Sequence, residues 1–237
     1  MKNRIETEIE HGKLEKTGRQ ASEGWLSSAG QIRLKRREEF LCRALGPKTR
    51  VLEIGSGTGI QTKYLAEKFE SVTGIDISPD LLQKAKEKLP NVEFFEMDAH
   101  SPKFPDESFD FIGGVSVLHH LDWDMALKNY YKLLSHGGVL RFSEPNMFNP
   151  MVFVIKTIPI VKKWAGDSPT ETAFTRWKIA KSLKNAGFKS ISVRAFEFLH
   201  CSTPDKLICK TIRLESLLER TWLREFGGSL LIEAVKS

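Results

Sequence analysis

Short apolar runs recur along the chain, and stretches with helical spacing of apolar residues lie between them. The runs lie within residues 49–54, 71–76, 92–97, 109–115, 139–143, 188–198 and 227–236. Apolar residues spaced as on the inner face of a helix lie within residues 31–45, 60–69, 78–89, 122–134, 175–186 and 203–220. Strands that alternate with helices predict an α/β fold, a doubly wound seven-stranded sheet with helices on both faces.

Several of these helices have cap residues at the predicted boundaries. Ser78 is placed to cap the helix that Pro79 opens, and Asp122 is placed to cap the helix at residues 122–134. The pair Gly46-Pro47 ends the helix at residues 31–45. Upstream of that helix, residues 24–30 are small and are expected to be flexible around Trp25.

The length of 237 residues predicts one domain with elaborations. Residues 1–46 precede the first strand and form a helical extension, whereas residues 147–175 form an insertion after the fifth strand. Because this insertion mixes apolar residues with lysines, it is expected either to close over the site as a lid or to contact a membrane surface. No apolar run approaches the roughly 20 residues needed to span a bilayer.

The composition indicates which cellular compartment and which kinds of partner are expected. Cys42, Cys201 and Cys209 are widely spaced and odd in number, which predicts free thiols in a cytoplasmic, reducing compartment and no metal site. The N-terminus is charged and lacks the apolar core of a secretory signal. The net charge of +6 permits an anionic partner, but acids are interspersed throughout. The basic run at residues 35–37 is expected to be a solvated helix face.

The first apolar run leads into an unusual glycine turn, in the order Glu53-x-Gly55-x-Gly57-x-Gly59. A strand, a glycine turn and a helix form half of a nucleotide-binding βαβ unit. A dinucleotide site would need a small residue where Ile60 stands. The acid at Glu53 suits a cationic, ammonium-bearing ligand and suits a pyrophosphate poorly. The alternative is an ordinary connection between a strand and a helix.

Acids follow the next two strands as well. Asp76 ends the second apolar run, where a nucleotide-binding unit places the acid that accepts ribose hydroxyls, although capping of the next turn is an equal alternative. Asp98 and Ala99 follow the third run. Asp110 is the second residue of the fourth run, and a structural role at the entry to this strand is expected.

These motifs together resemble the class I S-adenosylmethionine (SAM)-dependent methyltransferases. The sequence after the fourth strand, Ser116-Val117-Leu118-His119-His120-Leu121, resembles the ubiquinone-biosynthesis-like branch of that family, also called methyltransferase type 11. The resemblance implies a seven-stranded sheet with an antiparallel last strand, SAM as cofactor and S-adenosylhomocysteine as product. It also implies a cofactor site formed by Glu53, Gly55, Gly57, Gly59, Asp76, Ile77, Asp98, Ala99 and Val115.

Three residues are candidates for catalysis. Of the adjacent His119 and His120, one is expected to be structural and the other is a candidate base, because neighbouring side chains on a helix point about 100 degrees apart. Glu144 follows the fifth strand, where it is placed either to touch the substrate or to be a solvated loop acid.

The acceptor is expected to be a small molecule, methylated on oxygen or nitrogen. The Asn-Pro-Pro-Tyr-type motif of enzymes that methylate nucleic-acid amines is missing at residues 143–146, so nucleic acid is not an expected partner. An RNA or protein methyltransferase and a non-catalytic SAM-binding protein are the alternatives. The sequence leaves the oligomeric state open.

Overall fold

The computed structural model describes residues 21–165 and 172–237 of the chain. Its helices are α1 (Ala21–Leu26), α2 (Ser28–Cys42), α3 (Ile60–Lys68), α4 (Pro79–Lys88), α5 (Trp123–Leu133), α6 (Pro150–Thr157), α7 (Pro159–Trp164), α8 (Arg176–Asn185) and α9 (Asp205–Leu218). Its strands are β1 (Arg50–Ile54), β2 (Ser71–Asp76), β3 (Glu93–Glu96), β4 (Phe109–Val115), β5 (Leu134–Pro145), β6 (Lys189–Phe196) and β7 (Ser229–Val235). Short 3₁₀ turns lie at Leu118–His120 and Trp222–Phe226.

The seven strands form one sheet in the order β3-β2-β1-β4-β5-β7-β6. Strands β1 to β5 pair in parallel, whereas β7 pairs antiparallel with both β5 and β6. The predicted seven-stranded fold with an antiparallel last strand is confirmed. Because β1 has β2 on one side and β4 on the other, the strand order reverses at β1, and ligands of open α/β sheets bind beyond the carboxyl ends at this point.

Helices pack on both faces of the sheet. On one face, α5 and α8 bury residues such as Tyr130 and Leu183 against β1, β4 and β5. On the other face, α2 and α3 bury Leu41 and Leu65 against Val51 and Phe111. Side chains of one strand alternate between these two cores, as expected for a strand covered on both sides.

Buried ion pairs attach helix α2 to the far edge of the sheet. Glu197, which directly follows β6, accepts hydrogen bonds from Arg33 and Arg37, and Arg36 pairs with Glu215 of α9. Only 2 % of Arg37 is exposed. The expectation of a solvated basic face therefore holds for the exposed Lys35 and is wrong for Arg36 and Arg37.

The segment just before α2 also differs from its expectation. Residues expected to be flexible belong to α1 and to the start of α2, where the Ser27 side chain accepts a hydrogen bond from Gly30. Ser27 also donates to the Cys201 carbonyl, which fixes this corner to the segment after β6. A hydroxyl that caps a helix satisfies an otherwise unpaired backbone donor and so favours helix over loop.

Strand β5 is longer than its apolar run predicts. Residues 135–138, which lie between the predicted helix at residues 122–134 and the apolar run at residues 139–143, belong to the strand that begins at Leu134. A bulge in the pairing of β4 with β5 takes up the extra residues. Backbone bonds between this part of β5 and Lys236 hold it in place, with Gly137 donating and Gly138 accepting.

The insertion after β5 contains the two short helices α6 and α7. Its residues 166–171 lie outside the described residues, as do residues 1–20 of the predicted N-terminal extension. No helix within the described ranges is long and apolar enough to cross a membrane.

Candidate functional site

The glycine turn after β1 forms the floor of the candidate site. Gly55, Gly57 and Gly59 all have positive φ angles, between 52° and 78°. A side chain at Gly55 would lie 2.6 Å from Val117 Cγ2, so this position has no room for one. By contrast, the space where a Cβ of Gly57 would point is open within 4 Å. The backbone at Gly57 is therefore accessible to a ligand.

Asp76 joins the end of β2 to this turn. Its Oδ2 accepts the backbone N–H of Gly57 at 2.9 Å, and its Oδ1 accepts that of Ser78 at 2.9 Å. Burial raises the pKa of Asp76, while these backbone donors act in the opposite direction. Each carboxylate oxygen has a second lone pair, so Asp76 has capacity for two further donors. Ile77, the next predicted cofactor residue, is half-buried in the turn that follows.

Glu53 is more deeply buried than expected for an acid that contacts a ligand. It is 2 % exposed, and the hydroxyl of Thr62 on α3 donates to its carboxyl group. Burial raises its pKa to about 8, and the neighbouring Asp76 adds to the shift. Around neutral pH the free protein therefore keeps a proton on Glu53, whereas the sequence predicted an anion here.

Three buried polar side chains in this region have no hydrogen-bond partner within the described part of the protein. They are Ser56 in the glycine turn, Gln61 in the first turn of α3 and Ser143 near the end of β5. Buried polar groups are nearly always hydrogen-bonded in native structures, so a hydrogen-bonding ligand is expected to contact these atoms. None of the three was predicted from the sequence, and only their closeness to the strand ends could have indicated them.

Asp98 and Ala99 lie in the turn after β3, separated by one residue from the end of the strand. Asp98 Oδ1 accepts the backbone N–H of His100 and contacts the His100 ring at 2.7 Å. The Ala99 carbonyl accepts a hydrogen bond from Tyr130. These bonds fix the turn after β3, while 38 % of the Asp98 side chain stays exposed.

The structure differs from both expectations for Glu144. Only 1 % of the residue is exposed, so it is not a solvated loop acid. Its oxygens accept the backbone N–H groups of Val117, Leu118 and His119 and contact the His119 ring at 2.7 Å, so they are already engaged within the protein. Glu144 holds the turn after β4 in place, a role that no local sequence signal showed.

The two histidines have different surroundings in that turn. His119 is buried against Glu144, whereas His120 is half-buried. Their rings lie 4.2 Å apart, and His120 is close enough to Asp76 to lower the pKa of that carboxyl group. The turn begins just after Val115, another predicted cofactor residue, which is half-buried at the end of β4. His120 thus belongs to the same region as the glycine turn.

Comparison with known proteins gives the same identification as the motifs. Residues 52–142 match the family described as a methyltransferase domain. The chain is 31% identical over 163 residues to a demethylmenaquinone methyltransferase of Chlorobaculum tepidum, an alignment that covers 59% of this chain and 65% of that protein. It is 40% identical over 105 residues to an aklanonic acid methyltransferase of a Streptomyces species, covering 40% of this chain and 48% of that protein. The chain thus spans less than two thirds of either relative.

A solved structure from Thermotoga maritima, described as a SAM-dependent methyltransferase and possible histamine N-methyltransferase, has the same fold. It superposes with a TM-score of 0.69 at 20% identity, over 90% of this chain and 93% of that one. The family match runs from within β1 to within β5 and therefore includes the glycine turn, Asp76 and Asp98. The chain thus carries a methyltransferase domain at residues 52–142, and its motifs and relatives identify this domain as class I SAM-dependent, of the ubiquinone-biosynthesis-like branch.

Proposed function

We propose that the protein transfers a methyl group from SAM to a small organic acceptor. The observation that carries this proposal is the glycine turn: the open backbone at Gly57 is tied to Asp76 at the switch point of the sheet. This is the place where the fold binds ligands, and Ile60 occupies the position that a dinucleotide site needs small.

The chain's residues fit the polar groups of SAM. Asp76 would accept the two ribose hydroxyls with its remaining lone pairs. Asp98, part of whose side chain is exposed, would accept the adenine amino group, and Ala99 would lie beside the ring. Ser56 and Gln61 are buried without partners next to the glycine turn, and polar groups of the cofactor's amino-acid part would satisfy them.

Glu53 would favour the ammonium group of the cofactor through its charge. A positive charge nearby favours the ionised carboxyl, so binding would lower a pKa that burial holds at about 8 and would release a proton. Gly55 and Gly59 would serve by shaping the turn, because both have positive φ angles and Cβ atoms there would approach Val117 and Leu89, respectively.

The bound cofactor supplies an activated methyl group on its sulfonium, so the protein has chiefly to orient the acceptor. His120 would take the acceptor's proton where the acceptor must lose one. His119 and Glu144 would position that base, since Glu144 holds three consecutive backbone N–H groups of its turn.

The acceptor is proposed to be a small molecule with an oxygen or nitrogen nucleophile. The names of the two relatives support a small acceptor, because they describe methylation of demethylmenaquinone and of aklanonic acid by those proteins. The Asn-Pro-Pro-Tyr-type motif is missing at residues 143–146, at the end of β5, and its absence argues against nucleic acid as the acceptor.

Titration calorimetry with SAM, S-adenosylhomocysteine and NAD tests the cofactor. Binding of SAM and its product with no binding of NAD is expected. Binding of NAD without SAM would overturn the proposal. Formation of S-adenosylhomocysteine with a panel of phenolic and amine acceptors then separates an enzyme from a non-catalytic SAM-binding protein.

A further inference from the structure

The His100 ring makes a hydrogen bond with each of its two nitrogens, in the turn after β3. Its Nε2 accepts the backbone N–H of Asp122, the residue that caps α5, at 2.9 Å. A neutral imidazole has one donor and one acceptor nitrogen, so the proton of this ring is on Nδ1. Nδ1 lies 2.7 Å from Asp98 Oδ1 and therefore donates to it. His100 thus joins the cap of α5 to the acid that follows β3.

The two oxygens of the Asp98 carboxylate have different surroundings. Oδ1 accepts hydrogen bonds from the His100 ring at 2.7 Å and from the His100 backbone N–H at 2.9 Å. These two donors engage both lone pairs of Oδ1. Within residues 21–165 and 172–237 no donor meets Oδ2, and 38 % of the Asp98 side chain is exposed. The protein therefore fixes one oxygen and leaves the other for a ligand.

The backbone around His100 is held separately, by side chains of α5. Asn129 Nδ2 donates to the His100 carbonyl at 2.8 Å. The Tyr130 hydroxyl donates to the Ala99 carbonyl at 2.7 Å, and Tyr130 is fully buried, which anchors this turn in the core. Neither bond involves the His100 side chain. The ring therefore orients the neighbouring acid on a backbone that is already held in place.

We propose that His100 is a positioning residue for adenine: it holds the Asp98 carboxylate so that Oδ2 accepts the exocyclic amino group. The inference rests on the proposed function, which assigns Asp98 to that group. A carboxylate with one oxygen fixed presents the other in a set direction. Without the ring, the carboxylate would rotate in the free protein, and ordering it on binding would cost affinity.

The fixed orientation also selects the base. Hypoxanthine has a carbonyl oxygen where adenine has its amino group, and a ring N–H beside it. A carboxylate oxygen held opposite the amino position meets an acceptor in hypoxanthine and is repelled. A carboxylate that is free to turn can accept the neighbouring ring N–H instead. Loss of the His100 contact should therefore lower the preference for adenine as well as the affinity.

Two substitutions of His100 each preserve one of the two ring contacts. In His100→Asn the amide nitrogen takes the place of Nδ1 and can donate to Asp98. In His100→Gln the amide oxygen takes the place of Nε2 and can accept from Asp122. The comparison therefore separates orientation of the acid from support of the α5 cap.

Calorimetry with S-adenosylhomocysteine and with S-inosylhomocysteine, its hypoxanthine analogue, measures affinity and base preference. The unaltered protein should prefer S-adenosylhomocysteine. His100→Gln should bind it about two- to tenfold more weakly, the effect of one hydrogen bond, and should show less preference between the two ligands. His100→Asn should keep both the affinity and the preference.

Two further variants serve as controls, and a thermal melt checks that each variant is folded. His136→Gln makes the same change at an exposed position near the start of β5, at the end of the sheet opposite the site, and should bind both ligands as the unaltered protein does. Asp98→Ala removes the group through which His100 acts. His100→Gln added to Asp98→Ala should therefore cause no further loss of affinity.

The results that would overturn the proposal are distinct from failure of the proposed function. Equal weakening of both ligands in His100→Gln would make His100 a structural residue of the turn. Loss in His100→Asn with retention in His100→Gln would assign the effect to the Asp122 contact. In both cases the unaltered chain still binds S-adenosylhomocysteine, so the proposed function stands. An unaltered chain that binds no S-adenosylhomocysteine would overturn both.

Discussion

Two carboxyl groups at the ends of β1 and β2 are held in different ways. Glu53 is buried beside a single hydroxyl donor, and its pKa is raised to about 8. Asp76 meets two backbone N–H donors, which stabilise the ionised form and oppose the effect of burial. For both groups burial is the largest effect, and the net pKa is raised although the donors favour the ionised form. Each arrangement leads to a measurable expectation.

The buried Glu53 should make the protein less stable as pH rises. Its pKa is about 8 in the folded chain against an ordinary 4.5, so between these values the unfolded chain has lost a proton that the folded chain keeps. The free energy of unfolding then falls with rising pH, by at most about 1.4 kcal/mol per pH unit from this group. Glu53→Gln keeps an acceptor for Thr62 and removes this dependence.

Urea unfolding between about pH 5 and about pH 8 measures this effect in the unaltered protein and in Glu53→Gln. The variant should lose less stability over this range. Identical slopes for the two proteins would show that the Glu53 pKa is not raised by folding.

Asp76 should contribute directly to cofactor affinity. If it accepts ribose hydroxyls, Asp76→Ala should weaken SAM binding by about 1.5 to 3 kcal/mol, the usual range for hydrogen bonds to charged groups. Calorimetry measures the change, and a thermal melt checks that the variant is folded. The exposed Asp106 provides a control, because Asp106→Ala removes an acid from the loop before β4. Unchanged SAM affinity in a folded Asp76→Ala would reduce Asp76 to a turn residue.

At the level of elements, helix α2 depends on charges that the sheet supplies. Arg37 and Glu197 are both almost fully buried, and their side chains are joined by two hydrogen bonds. Burial alone raises the pKa of Glu197, but the charges of Arg37 and Arg33 outweigh it, and the net pKa is lowered. The stabilisation from this group is therefore present above its ordinary pKa and is lost as pH falls through the folded value.

Removal of the negative charge at Glu197 should be costly, because it leaves Arg37 buried without its partner. We expect Glu197→Gln to lower the free energy of unfolding by about 3 to 5 kcal/mol. Glu39→Gln, an equivalent change at an exposed position of α2, should cost less than about 0.5 kcal/mol. Chemical unfolding of both variants measures the difference. Equal, small losses would contradict a structural role for the cluster.

For the molecule as a whole, the local sequence pattern predicted those structural features that depend on residues close together in the chain. Apolar runs predicted the strands, and the glycine turn predicted the unit of strand, turn and helix that begins with β1. The wrong predictions concern residues whose partners are distant in sequence. Arg37 is buried with Glu197, which lies 160 positions later in the chain. Glu144 is buried because the backbone N–H groups of a turn 25 to 27 residues earlier donate to it. The length of β5 likewise depends on Lys236. The predicted lid at residues 147–175 stays a prediction.

The position of β7 between β5 and β6 also constrains the order in which the chain can fold during synthesis. Strand β6 is made before β7, yet its pairing partner in the sheet is β7. Until residues 229–235 leave the ribosome, β6 has no neighbour and the outer edge of β5 stays open. An unpaired strand edge is a template for wrong pairing with other chains. The nascent protein therefore exposes these strand edges to wrong pairing in the interval between the emergence of β5 and that of β7.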